Sequence, residues 1–250
     1  MLTSVLTNQN RMIRDNFDAI ARRYDLTNRV ISFGIDVGWR KFAVRQLGDL
    51  PAGARVLDLA CGTFDMTLEL LRRRPGTRVV GVDLSLDMLA HGRPKLIRTL
   101  GSDGAVRVVN APAERLPFED GSFDAAMIAF GIRNVPDFPR GLRELLRVLR
   151  PGGRLCVLEF SQPPSRLFAS VYHLYFFHVL PRIGGVITGR PEAYRYLTNS
   201  VSKFPDADEF RAAMERAGFA EVRYRRLTGG IVCVHTGEHP PDPSGKTVGP

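Results

Sequence analysis

A chain of 250 residues with 44% hydrophobic content is long enough to bury one large core, and its composition is ordinary for a globular protein. The net charge of +9 points first to a solvated basic face and second to an anionic membrane surface. No aromatic-interleaved basic tract accompanies that charge, so nucleic acid is the weaker reading and is not expected as a partner; Cys61, Cys156 and Cys233 lie far apart, which excludes a disulfide framework or metal site and fits a reducing compartment.

The N-terminal stretch MLTSVLTNQNRMIRDNF lacks the apolar core of a signal peptide. Residues 11–47 read as helical, with Met12, Ile13, Phe17, Ile20 and Ala21 at helical spacing. From Arg55 onward, strands and helices alternate. RVLDLA, RVVGVDLS, AVRVVNA, SFDAAMIAF and RLCVLEFS read as strands. Between them, DMTLELLRRR, LDMLAHGRPKLIRTL and FPRGLRELLRVLR read as helices; Pro94 should bend or divide the second, and Pro151-Gly152-Gly153 should stop the third. Such alternation implies right-handed crossovers and a mostly parallel sheet covered on both faces.

Residues 167–189 are apolar and aromatic, but His173, His178, Pro181 and Arg182 interrupt them. The uncharged run is shorter than the roughly 18–20 residues a membrane span needs, so a buried or interfacial helix is expected. DADEFRAAMERAGF reads as a helix closed by Gly218, and EVRYRRLTGGIVCVHTG as an antiparallel hairpin turning at Thr228-Gly229-Gly230. The tail EHPPDPSGKTVGP, residues 238–250, is rich in proline and glycine and is expected to be disordered.

The stretch LDLACGTFDMT, residues 57–67, carries the chemistry. A small-residue turn follows the first strand, where open parallel sheets bind their ligands. Only Gly62 of a G-x-G-x-x-G pattern is present, so NAD or FAD is poorly supported. Asp58 ends the first strand and Asp83 the second. A carboxylate at that place accepts both hydrogen bonds of a ribose diol, and an acidic turn suits an ammonium. The pair points to S-adenosylmethionine. Each acid also has a purely structural explanation, Asp58 as a charge at a helix N-terminus and Asp83 as a helix cap.

Several separate motifs then carry a resemblance: YDLTNRVISFGIDVGW (24–39), VLDLACGTFDMT (56–67), AERLPFEDGSFD (113–124), FGIRNVPD (130–137), RVLRPGGRLCVLEFS (147–161), FHVLPRIG (177–184) and AYRYLTNSV (193–201). From about residue 11 to residue 239 the chain resembles the ubiquinone/menaquinone biosynthesis C-methyltransferase family. The resemblance implies a class I S-adenosylmethionine-dependent methyltransferase fold, an α/β Rossmann-like sheet that is mostly parallel and ends in an antiparallel hairpin. It also implies an N-terminal helical cap over residues 1–50, a methyltransferase domain over 51–237 and a substrate-covering insertion over 165–203.

The implied cofactor is S-adenosylmethionine, and the implied reaction is methylation of a ring carbon of a prenylated quinol, either demethylmenaquinol or a ubiquinol precursor. Thr63 and Asp83 match cofactor contacts, alongside Asp58, Gly62 and Ala129. Pro112 and Ala113 fall in the adenine-binding stretch. Arg133 and Asn134 match positions that orient a water or the ring hydroxyl; without the resemblance Arg133 reads as a structural salt bridge. A cytoplasmic enzyme at the membrane surface, and a homodimer, fit this picture. The aromatic run Tyr172, Tyr175, Phe176 and Phe177 is expected to help cover a hydrophobic substrate.

Four residues depart from the family pattern. Phe64 replaces a glycine, Pro112 an Asp or Asn that reaches the adenine amino group, Ala129 a frequent serine and Asp36 a frequent histidine. Phe64 either narrows the cofactor loop or turns into the core. Asn110 is a candidate substitute for the missing adenine partner. A quinone-binding relative with a weakened cofactor site, or an enzyme with another acceptor, therefore stands as the alternative.

Overall fold

Period-two alternation along the central strands sends Val56 and Met127 to one face and Leu57, Leu59, Ala126 and Ile128 to the other. Both faces are therefore apolar, and the sheet must be covered twice. The computed structural model describes residues 7–102 and 104–241. Five parallel strands run through its centre: β1 (Arg55–Leu59), β2 (Arg78–Asp83), β3 (Val106–Asn110), β4 (Phe123–Ala129) and β5 (Leu149–Phe160). The hairpin of β6 (Ala220–Leu227) and β7 (Val232–Glu238) adds the antiparallel edge, and the order is β3-β2-β1-β4-β5-β7-β6. This is the class I methyltransferase sheet expected from the sequence. The strand order reverses between β1 and β4, which opens a crevice at their carboxyl ends.

On one face lie α3 (Ile35–Arg45), α4 (Asp65–Arg73) and α5 (Leu86–Leu100); on the other lie α6 (Phe138–Val148) and α10 (Ala207–Arg216). Fully buried side chains such as Leu70, Leu96, Leu142 and Leu145 each contribute about 1.5–3 kcal/mol by leaving water. Helices α1 (Asn8–Asp18) and α2 (Tyr24–Ile31) precede this cover. Trp39, Ala43 and Val44 of α3 belong to the central apolar layer, so the third N-terminal helix is part of the core.

Three local expectations change. Helix α5 runs unbroken through Pro94; Ala90 and Pro94 are both exposed, so the carbonyl deprived of its partner faces water. Helix α6 ends at Val148, ahead of Pro151-Gly152-Gly153, because Leu149 is already extended and begins β5. Strand β7 reaches Glu238, and the His239 amide donates to Gly153 O at 2.8 Å, so the sheet continues past residue 237. The rest of the tail, from residue 242, lies outside the described residues.

Between β5 and α10 the chain forms α7 (Arg166–Leu174), a π-helical turn (Tyr175–Val179), α8 (Leu180–Thr188) and α9 (Pro191–Lys203). No helix among the described residues is long and apolar enough to cross a membrane.

Candidate active site

The crevice begins with backbone that side chains rarely tolerate. Ala60 and Phe130, just beyond β1 and β4, adopt φ of 52° and 56°. They turn the chain sharply where the sheet opens, and Gly131 lets the two turns meet: a Cβ there would stand 2.5 Å from that of Ala60. Around these turns lies a first cavity of about 690 Å³, including the part open to solvent. Gly62, Asp83, Ala113, Ala129 and Asn134, all expected at the site, border it. Helix α1 closes it with Asn10, Ile13, Arg14 and Phe17, spaced three or four residues apart on one helix face.

With Glu114, Asp83 is one of two acids at this cavity. Its Oδ2 accepts the Gly62 amide at 2.8 Å and its Oδ1 the Ser85 amide at 2.9 Å. Burial pushes the carboxyl up to about 6, against the pull of those amides. Asn110 is already used: its Nδ2 donates to the carbonyls of Asp83 and Leu84 at 2.8 and 2.9 Å. It braces the turn and does not border the cavity, so it is not the substitute adenine partner.

Asp58, Thr63 and Pro112 also stand outside the cavity wall. Asp58 is buried beneath the turn, where Thr67 Oγ1 of α4 donates to its Oδ2 at 2.6 Å. Burial raises its carboxyl to about 7, and nearby Asp83 adds to the rise. Thr63 Oγ1 donates to Asp25 of α2 at 2.5 Å and accepts from Lys95 at 3.2 Å. Lys95 also binds Asp25 and Asp65, each at 2.7 Å, while Arg29 bonds Asp65 at 2.9 Å and pairs with Asp36. Asp36 additionally accepts from Arg40 and Ser32. The acid at position 36 thus belongs to a network tying α2 and α3 to the cofactor loop.

Phe64 resolves inward. It is fully buried in the core and does not touch the first cavity. Its φ of 68° at the N-terminus of α4 is the left-handed region that favours glycine.

A second cavity of about 700 Å³ adjoins the first, sharing Phe17, Tyr24 and Phe130 with it. Arg133 borders this one. Its Nη1 pairs with the buried Glu159 carboxylate at 2.8 Å and donates to Phe130 O at 2.6 Å; Nε reaches Ser200 Oγ at 3.3 Å. The structural salt bridge is therefore real, and it fixes the guanidinium beside the cavity. Asn134 Oδ1 accepts from Tyr196 at 3.2 Å. Helix α9 supplies Ala193, Tyr194, Tyr196 and Leu197. The aromatic run does not: Phe176 packs behind Phe160, Tyr172 stacks on Phe176 at 5.1 Å, and none of the four residues borders the cavity.

Sequence reasoning passed over Tyr24. It borders both cavities, and burial raises its phenol while Arg40 and Arg133 pull it back. Its signal was position: it opens YDLTNRV, the first residue of α2 after the helix that closes the site.

The residues present fit S-adenosylmethionine. Asp83 offers acceptors for a ribose diol, the bend from Ala60 to Gly62 leaves room for an amino-acid end, and Leu84, Met88, Ala111 and Ala113 form an apolar slot for a base. A model of the ubiE/COQ5 methyltransferase family matches residues 4–239. The ubiquinone/menaquinone biosynthesis C-methyltransferase UbiE of Syntrophotalea carbinolica is 52% identical over 224 residues, covering 90% of this chain and 92% of that one. The demethylmenaquinone methyltransferase of Thermus thermophilus is 50% identical over 224 residues, covering 90% and 100%. Among solved structures, the cyclase SpnF superposes with a TM-score of 0.68 at 16% identity, covering 93% and 97%. A methyltransferase from Thermotoga maritima does so at 0.65 and 23%, covering 91% and 99%; these two carry the fold alone. Together with the two joined cavities at the switch point of the sheet, the match along nearly the whole sequence settles the kinship: the chain belongs to the ubiE/COQ5 methyltransferase family.

Proposed function

We propose that the protein is an S-adenosylmethionine-dependent C-methyltransferase acting on a ring carbon of a prenylated quinol, a demethylmenaquinol or a ubiquinol precursor. The observation that carries it is the pairing of a cavity bordered by Asp83 with an aromatic cavity bordered by Arg133, the two sharing Phe17, Tyr24 and Phe130. When bound, S-adenosylmethionine supplies a methyl group on a positively charged sulfur. Asp83 fixes the ribose, with Gly62 and Ala113 at the wall. Phe17, Phe130 and Tyr24 hold the acceptor ring at the passage between the cavities and exclude water.

The acceptor carbon becomes nucleophilic as the neighbouring hydroxyl loses its proton. Arg133, held by Glu159, stabilises the oxygen as charge develops there, and Asn134 orients the water that takes the proton. Tyr24 stays protonated at neutral pH and donates toward the same oxygen. Asp58 and Thr63 act one layer back, keeping the turn and α2 in place.

The polyprenyl tail sets the location. Phe33, Leu167, Leu174 and Val186 are large, apolar and exposed, and the chain is basic, which suits an interfacial enzyme meeting its substrate at an anionic membrane. A helical cap formed by the N-terminal helices, an insertion over 165–203 that covers the acceptor, and a homodimer belong to the same proposal. The non-catalytic alternative rested on Phe64, Pro112 and Ala129, and of these only Ala129 borders the first cavity. Incubation with S-adenosylmethionine and each reduced prenylated acceptor, followed by mass spectrometry, tests the reading: a product heavier by one methylene unit is expected, and binding of acceptor without product supports the alternative.

A further inference from the structure

One buried polar atom at the first cavity is unpaired among the described residues. Asn10 is only 2% exposed, stands in the cavity wall, and its Oδ1 has no hydrogen-bond partner among the described residues. Among the described residues, four buried side-chain polar atoms are unpaired, and the others, on Ser161, Tyr172 and His235, do not border this cavity. Helix capping does not account for Asn10, because its backbone amide, not its side chain, donates to the Thr7 cap at 3.1 Å. A buried amide oxygen left without a donor is destabilising, so such a group is expected to meet one from a ligand.

The position along α1 selects the donor. Asn16, Phe17 and Ile20 border the second cavity, whereas Asn10, Ile13 and Arg14 border only the first. At 1.5 Å per residue, Asn10 stands about 10 Å along the axis from Phe17. Among the α1 residues of the wall it is therefore the one farthest from the boundary with the second cavity. A methyl group in flight must face the acceptor, and Asp83 takes the ribose. The adenine remains for the far end. Neither Pro112, whose side chain has no polar atom, nor Asn110, bonded to Asp83 and Leu84, can meet its amino group. Glu114 borders the same cavity but is half-buried, with access to water.

We propose that Asn10 reads the adenine: its Oδ1 accepts from the 6-amino group and its Nδ2 donates to the adjacent ring nitrogen. An asparagine amide matches an adenine edge in just this two-bond fashion. The recognition element thus sits on the closing helix, not on the sheet, and adenine binding fastens that helix over the cofactor. This rests on the cofactor reading of the first cavity.

Calorimetric titration with S-adenosylhomocysteine, and with its analogue carrying hydrogen in place of the 6-amino group, tests it. Wild type should prefer the amino form by about tenfold, as for one hydrogen bond to an otherwise unpaired group. Asn10→Ala should weaken the analogue, which keeps only the bond to its ring nitrogen, weaken the amino form about tenfold more than that, and so erase the preference. Alanine favours helix, so the variant should fold, and its thermal unfolding checks this. Equal weakening of both ligands, or no preference in wild type, overturns the proposal. Loss of the preference in Glu114→Gln but not in Asn10→Ala assigns the contact to Glu114 and overturns it as well. Absence of binding of either ligand to wild type sinks the cofactor reading itself.

Discussion

The ring of Phe64 fills the space that a side chain at residue 92 would need. A Cβ built on Gly92 of α5 comes within 2.5 Å of Phe64 Cδ2, and one built on Gly81 of β2 within 3.1 Å of Cε1. Two glycines on the flanking elements thus make room for a phenylalanine whose backbone is left-handed. The strain costs about 1–2 kcal/mol, and burial of the ring offsets it.

Phe64→Gly should therefore lower stability by about 1–4 kcal/mol, the cost of an emptied aromatic site less the relieved strain. Affinity for S-adenosylmethionine should stay level or fall. Gly92→Ala should also destabilise, by about 1–3 kcal/mol, through overpacking. Denaturant unfolding and calorimetry on both variants check this, and tighter cofactor binding by Phe64→Gly would contradict the inward placement.

Arg133 and Glu159 predict a different signature. Both side chains are buried, so Arg133→Ala leaves a carboxylate without its partner and should cost about 3–5 kcal/mol of stability. The double change Arg133→Met with Glu159→Gln should recover much of that stability and none of the turnover, because the developing phenolate still lacks its cation. If turnover returns with stability, Arg133 is a structural residue only. Steady-state kinetics should show a larger loss in kcat than in acceptor affinity.

The sheet was legible because its signals are local. Short apolar runs separated by helical periods already imply crossovers, and VLDLACG and VVGVD end where the crevice opens. The wall was less legible. Asp58 and Asp83 look alike in sequence and share one sheet face, but Asp58 pairs with Gly81, so Asp83 stands two residues farther along and reaches the cavity while Asp58 stays beneath the loop. Thr63 follows a residue that lines the site, but its hydroxyl is taken by Asp25, thirty-eight residues earlier. Arg133 and its partner Glu159 belong to two separate motifs, and only the packing of β5 beside the turn after β4 brings them together. Helix α1 supplies a wall whose members only the folded packing reveals. A stripe such as Asn10, Ile13, Arg14 and Phe17 reads as an ordinary amphipathic face.

Asp83 should make cofactor binding depend on pH. A ribose diol donates two hydrogen bonds, so it favours the charged carboxylate, and burial raises that group to about 6. Below that pH the site must first lose a proton, and the apparent Kd should rise by about tenfold per unit. Near pH 6 binding should release protons, measurable as a dependence of the calorimetric heat on the buffer. Asp83→Asn should weaken binding by about 1.5–3 kcal/mol at pH 8 and flatten the profile. A profile that survives in Asp83→Asn would move the titration to another group.

Asp58 should instead leave its mark on stability. Its carboxyl rises from the ordinary 3.8 to about 7, chiefly through burial, with Thr67 opposing the shift and Asp83 reinforcing it. Between these pH values the folded chain keeps a proton that the unfolded chain has released. Raising the pH across that window therefore favours unfolding, and the penalty is complete above about pH 7. Asp58→Asn removes the charge while its side-chain oxygen still accepts from Thr67 Oγ1. The variant should match wild type near pH 4 and exceed it at pH 8 by on the order of 2–4 kcal/mol. Urea unfolding at the two pH values measures the difference. A variant less stable than wild type at pH 8 would mean that the carboxylate is charged and satisfied beneath the turn, and that its burial is not the dominant effect.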